Sequence, residues 1–268
     1  MTWQDIFIKV EEGNLFARIW QPENTSEHTL EKAPIVLFHD SLGCVDLWRK
    51  FPALLSNSTQ RQVIAYDRIG YGKSSPVPHK QSFDFISKES EIYFPALRQQ
   101  LNFDKFIAFG HSVGGAMAVH CAGKFSDSCE ALITEAAQAF VEDRTLKGIR
   151  EAKSEFDQDS NVERLKKYHG EKAGWVLDAW IETWLSPEFG SWHLEDALPQ
   201  VHCPFLIIHG SEDEYGSKRH PEVLQRFASG KAIVKILSGF GHVPHREQDQ
   251  EIIELVVSFL DEELVRGR

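Results

Sequence analysis

The sequence predicts an α/β fold: one mainly parallel central sheet, covered by helices on both faces and interrupted by a helical insertion. Three observations predict it. Short continuous apolar runs recur along the chain, as strands buried on both faces require. Helix-length segments with apolar spacing near 3.6 lie between them. Residues 139–198 contain no strand-like run at all.

Taken in order, residues 6–10 and 15–20 flank Glu11-Glu12-Gly13-Asn14 and read as a hairpin with a Gly/Asn turn, placing antiparallel strands at one sheet edge. The buried-strand runs follow at residues 35–38, 63–66, 106–109, 131–133, 205–208 and 233–237. Helices are expected over 85–101 and 113–125, and an amphipathic one closes the chain at 252–264. Strands alternating with helices mean βαβ units and a parallel sheet. The break at 139–198 is far too long for a simple connection and is rich in helix formers around Trp175, Trp180, Trp184 and Trp192. The expected division is therefore a core of residues 1–138 and 199–268 with an inserted helical unit at 139–198. Its tryptophans are expected to be mostly the core of that unit, with one or two lining a pocket.

Composition limits the partners. With 268 residues the chain is long enough for one large core. Its net charge of −11 repels phosphate backbones and anionic lipid headgroups, so neither nucleic acid nor a membrane surface is an expected partner. No apolar stretch reaches the roughly 18 to 20 residues of a membrane helix. Residues 1–10 carry Asp5 and Lys9 and show no leader pattern. Cys44, Cys121, Cys129 and Cys203 are scattered, which reads as buried free thiols in a reducing, cytoplasmic compartment. A small molecule is the expected partner, with the chain a monomer or a homodimer.

The chemistry sits at strand ends. Gly110-His111-Ser112-Val113-Gly114 joins the run 106–109 directly to the helix at 113–125. A serine at such a sharp turn needs small neighbours, and the helix start favours developing negative charge near the hydroxyl. A serine also needs a base, and the base an orienting acid. Asp213 follows the run 205–208 and His242 follows 233–237, so both fall at the same sheet rim as Ser112. Glu212 is the rival acid beside Asp213. Glu135, just past the run 131–133, is a substrate-pocket candidate: a substitute acid, a holder of a cationic substrate group, or simply a surface carboxylate. His39 and His111 flank the site and are further pocket candidates, although packing is the commoner role. His245, three residues after His242, is weak evidence for a metal, and neither metal nor cofactor is called for.

Four motifs in order then carry a resemblance over essentially the whole chain: Phe38-His39-Asp40-Ser41-Leu42-Gly43, Asp67-Arg68-Ile69-Gly70-Tyr71-Gly72-Lys73-Ser74, the turn at Ser112, and the Asp213/His242 pair. They resemble the α/β-hydrolase superfamily. The resemblance implies Ser112 as nucleophile, His242 as general base and acid, and Asp213 as the residue that fixes the imidazole. It also implies an oxyanion hole from the Val113 and Ser41 N–H groups, and a helical cap at 139–198. One departure stands out: the family loop usually reads His-Gly, and here it reads His39-Asp40. The implied function is a serine hydrolase acting on a small carboxylic ester. The stretch 137–143 with 148–150 is also similar to small esterases of amino-acid esters, but their acidic residue after the nucleophile is Val113 here. The alternatives are hydrolysis of a carbon–carbon bond beside a ketone, or a non-catalytic receptor on the same fold.

Overall fold

The computed structural model describes residues 2–23, 32–156 and 159–265. Met1 of the stretch read for a leader, and residues 157–158 of the insertion, lie outside these. Eight strands form one sheet: β1 Thr2–Val10, β2 Gly13–Gln21, β3 Ile35–Phe38, β4 Val63–Tyr66, β5 Phe106–His111, β6 Cys129–Glu135, β7 Phe205–Gly210 and β8 Ala232–Leu237. Their order is β1-β2-β4-β3-β5-β6-β7-β8. β1 pairs antiparallel with β2, and β2 with β4; every other pair is parallel. The expected hairpin thus closes one edge.

Side-chain alternation explains the continuous apolar runs. Along β3, Val36 and Phe38 face one core while Ile35 and Leu37 face the other; β5 splits Phe106 and Ala108 from Ile107 and Phe109 in the same way. Helices α1 (Phe51–Thr59) and α8 (Asp249–Leu260) bury Phe51, Leu55, Ile252 and Val256 on one side. Helices α2 (Phe94–Leu101), α3 (Val113–Lys124) and α7 (Arg219–Phe227) bury Phe94, Met117 and Leu224 on the other. All four cysteines are buried and free. None of the described helices is long and apolar enough to cross a membrane.

Two expectations need correction. The run 233–237 is not buried on both faces: Ile236 is 40% exposed, because β8 pairs only with β7 and forms the second sheet edge. The helix expected over 85–101 is not uniform. It runs as one turn at Phe85–Lys88, a wider π turn at Glu89–Tyr93, and then α2. Pro95 near the start of α2 has no N–H to donate back along the helix, which accounts for the local widening.

Between β6 and β7 lie three helices: α4 (Asp143–Phe156), α5 (Asp159–His169) and α6 (Ala173–Trp184). No named strand falls among the described residues of this interval. Its aromatic residues pack on each other, with Trp184 edge-on to Trp192 and Phe189 stacked on Trp192.

Candidate active site

Ser112 stands between β5 and α3 with φ 57° and ψ −127°, a backbone state costing on the order of 1–3 kcal/mol for a residue with a side chain. The surroundings hold it there. A Cβ on Gly110 would meet the Gly114 carbonyl oxygen at 2.2 Å, and one on Gly114 would meet that of Phe38 at 2.2 Å. Only glycine lets α3 approach β5 and β3 this closely. The Ser112 N–H donates to the Glu135 carbonyl at 2.9 Å, pinning the turn to the end of β6.

The parallel register brings the distant partners to this rim. His242 Nε2 lies 3.0 Å from Ser112 Oγ, and its Nδ1 lies 2.9 Å from each oxygen of Asp213. Asp213 is fully buried, and its Oδ1 also accepts the N–H groups of Tyr215 and Gly216. Burial opposes charge on both groups, yet their mutual attraction prevails. The Asp213 carboxyl is held below its usual value and the His242 imidazolium is favoured above 6.5. The rival Glu212 makes no such contact with His242. Its neighbour Glu214 accepts the His242 backbone N–H at 3.2 Å.

These groups open onto a cavity of about 250 Å³. Asp40, Ser41 and Leu42 line it from the loop after β3, Thr145 and Ile149 from α4, and Trp180 and Trp184 from α6. Val113 opens α3, so its N–H has no acceptor within the helix. Gln138 was not foreseen: Ser112 Oγ donates to its Oε1 at 3.2 Å, giving the single hydroxyl proton two acceptors. A lone amide among alanines carries no periodic signal that could have revealed it.

The three pocket candidates sit elsewhere. Glu135, His39 and His111 do not line the Ser112 cavity. Glu135 is fully buried and turned toward His245, accepting its backbone N–H at 2.7 Å and its Nδ1 at 2.5 Å. His111 donates Nε2–H to the His242 carbonyl at 2.8 Å, and burial pushes its pKa down to about 4, so it is neutral near pH 7. His39 bonds the Asp40 carbonyl through Nδ1 and the Arg68 backbone N–H through Nε2. Glu135 therefore forms a second Glu–His pair and has no place in the lining of the Ser112 cavity.

His111, Glu135 and His245 do bring three ligating atoms within 4.8 Å of one another. The 2.5 Å separation of Glu135 Oε2 and His245 Nδ1 is a hydrogen bond. Two ligands on a tetrahedral zinc with bonds of about 2.0–2.1 Å would stand roughly 3.3 Å apart. The cluster is a bonded pair with a neighbouring ring, not a prepared metal site.

A hydroxyl, a carboxylate and an imidazole thus follow one another in the chain at the ends of β5, β7 and β8, beside a helical insertion after β6. The family described as "alpha/beta hydrolase fold" matches residues 33–159. The chain has the α/β-hydrolase fold. Among sequence relatives of this chain is the human serine hydrolase BPHL, 28% identical over 74% of this chain and 69% of that protein. Among solved structures, proline iminopeptidase from Mycobacterium smegmatis superposes with TM-score 0.73 at 19% identity, covering 99% of this chain and 100% of that one. The carboxylesterase CesB from Bacillus subtilis superposes with TM-score 0.71 at 16% identity, covering 97% and 92%. At these identities the two structures speak for the fold alone.

Proposed function

We propose that this α/β hydrolase cleaves small carboxylic esters with an apolar acyl part through an acyl-enzyme on Ser112. The single observation that carries the reading is the continuous chain from Ser112 Oγ through His242 to Asp213, placed on a cavity with aromatic and aliphatic walls. In this reading Ser112 Oγ attacks the carbonyl carbon while its proton passes to His242 Nε2, and the carbonyl electrons move onto oxygen. The Val113 and Ser41 N–H groups receive that oxyanion. The carbonyl re-forms, the alkoxide leaves with the proton from His242, and water repeats the sequence to release the acid. Asp213 keeps the His242 proton on Nδ1 throughout. The helices of 139–198 act as a cap, with Trp180, Trp184 and Ile149 bounding the acyl end.

The test is a panel of aryl esters of increasing acyl length, with thioesters and a vinylogous diketone, run on wild type and Ser112→Ala. Wild type should favour short apolar acyl groups and react at Ser112 with a fluorophosphonate. Ser112→Ala should lose about 10⁴-fold or more of the ester rate while staying folded. Undiminished turnover in Ser112→Ala would end the nucleophile assignment. Preferred turnover of the diketone would move the reading to carbon–carbon bond hydrolysis.

A further inference from the structure

We propose that Arg68 and His39 are positioning residues that aim the Ser41 N–H at the reacting carbonyl, by holding the carbonyl oxygen of Asp40 on the opposite side of the same peptide. The inference rests on the hydrolase reading above. Asp40 C=O and Ser41 N–H belong to one peptide unit, and with no cis bond among the described residues they point in opposite directions. The Asp40 oxygen accepts Arg68 Nη2 at 2.9 Å, His39 Nδ1 at 2.8 Å and, more loosely, the Gly43 backbone N–H at 3.2 Å. Ser41 lines the Ser112 cavity, whereas Arg68 and His39 do not. The two side-chain donors therefore grip the rear of the peptide and leave its N–H facing forward.

Proton placement supports the arrangement. The Arg68 backbone N–H donates to His39 Nε2 at 3.1 Å, so the His39 proton must sit on Nδ1, where it meets the Asp40 oxygen. Burial pushes the His39 pKa well below 6.5 and keeps the ring in that neutral form. Arg68 is itself held in place: it is 4% exposed, with its guanidinium 4.0 Å from the Tyr71 ring centroid. A guanidinium bonded to the carbonyl also polarises the peptide, strengthening the N–H as a donor.

The same contact answers the departure in the loop. The Asp40 residue, half-buried in the wall of the Ser112 cavity, is an anion: burial opposes the charge of its carboxyl, but His111 and Arg246 outweigh that and draw it down to about 2. A cation bonded to the same peptide offsets it. Glycine at this position would need no such support.

The experiment compares wild type with Arg68→Met, Arg68→Lys, His39→Leu and His39→Asn. It measures aryl-ester kinetics and the affinities of two inhibitors of similar shape. One is a boronic acid, which forms a tetrahedral adduct on Ser112; the other is an unreactive ether isostere of the substrate. Arg68→Met should lower kcat by about 10- to 100-fold with KM changed less than about threefold. Boronic-acid affinity should fall by the same factor and ether affinity should hold. Arg68→Lys should fall between wild type and Arg68→Met. His39→Asn, whose amide can place an N–H near the former Nδ1, should recover part of what His39→Leu loses.

Equal loss of both affinities, or an unchanged kcat, would overturn the proposal. If Arg68→Met does not fold, Arg68→Lys carries the same comparison with the same overturning results. Fluorophosphonate labelling separates the two levels. An unlabelled wild type defeats the hydrolase reading itself, whereas a labelled wild type matched in rate by the Arg68 variant defeats only this inference.

Discussion

A histidine can accept the serine proton only while it is neutral, and His242 is biased toward its charged form by Asp213, against the pull of burial. The acid limb of kcat/KM should therefore have its midpoint above 6.5. Asp213→Asn should move that limb to lower pH and reduce kcat by about 10⁴-fold; a pH–rate profile of both proteins reads the two effects. The sign for stability follows. A raised histidine pKa adds stability that is full below about 6.5 and is lost as pH rises through the folded value. Urea midpoints taken on either side of the acid limb should show His242 contributing more on the acid side. Ser112 has a second residue-scale consequence. Its φ of 57° is strained for any side chain, so Ser112→Gly should be inactive yet raise stability by about 1 kcal/mol in urea unfolding.

The elements around Ser112 depend on close backbone approach. Gly114→Ala would drive a methyl to 2.2 Å from the Phe38 carbonyl oxygen, and α3 would have to move away from β3. A loss of about 1–3 kcal/mol in denaturant unfolding is expected, along with lower activity. In α6, Trp180→Phe should enlarge the acyl end of the cavity and shift preference toward longer acyl chains, visible as a changed profile across the ester panel. β6 is tied to the turn carrying His242 by the buried Glu135–His245 pair. Removing one partner of such a pair costs about 3–5 kcal/mol, so Glu135→Ala should be far less stable than Glu135→Gln at neutral pH. Burial opposes the Glu135 charge, but His245 outweighs it and holds the carboxyl below its usual value. That stabilisation is present above about 4.3 and fades as pH falls through the folded value. The difference between wild type and Glu135→Ala should therefore shrink in acid.

For the molecule as a whole, what was legible in the residues was what repeats or what sits at a strand end. β3, β4, β5 and β7 could be read because both faces of each are buried, and Ser112, Asp213 and His242 because each follows an apolar run. The half-exposed β8 could not be separated from them, since an apolar run does not say whether a neighbour exists on both sides. Glu135 was misplaced for a related reason. Its position at the end of β6 was evident, but its turn toward His245 depends on a residue 110 positions away. Gln138 and Arg68 are of the same kind: their partners are adjacent only after the sheet has assembled, and no local pattern records that.

The parallel strands share one direction, so everything with chemistry lies along a single border of the sheet. The opposite border, where Ile35, Phe106, Phe205 and Ala232 begin their strands, lies at the far end from Ser112, Asp213 and His242. Lys105 projects from that side with 63% of its side chain exposed. A dye, a bead or a fused protein attached there would leave access to the serine unobstructed, so the fold supplies a handle as well as a catalyst.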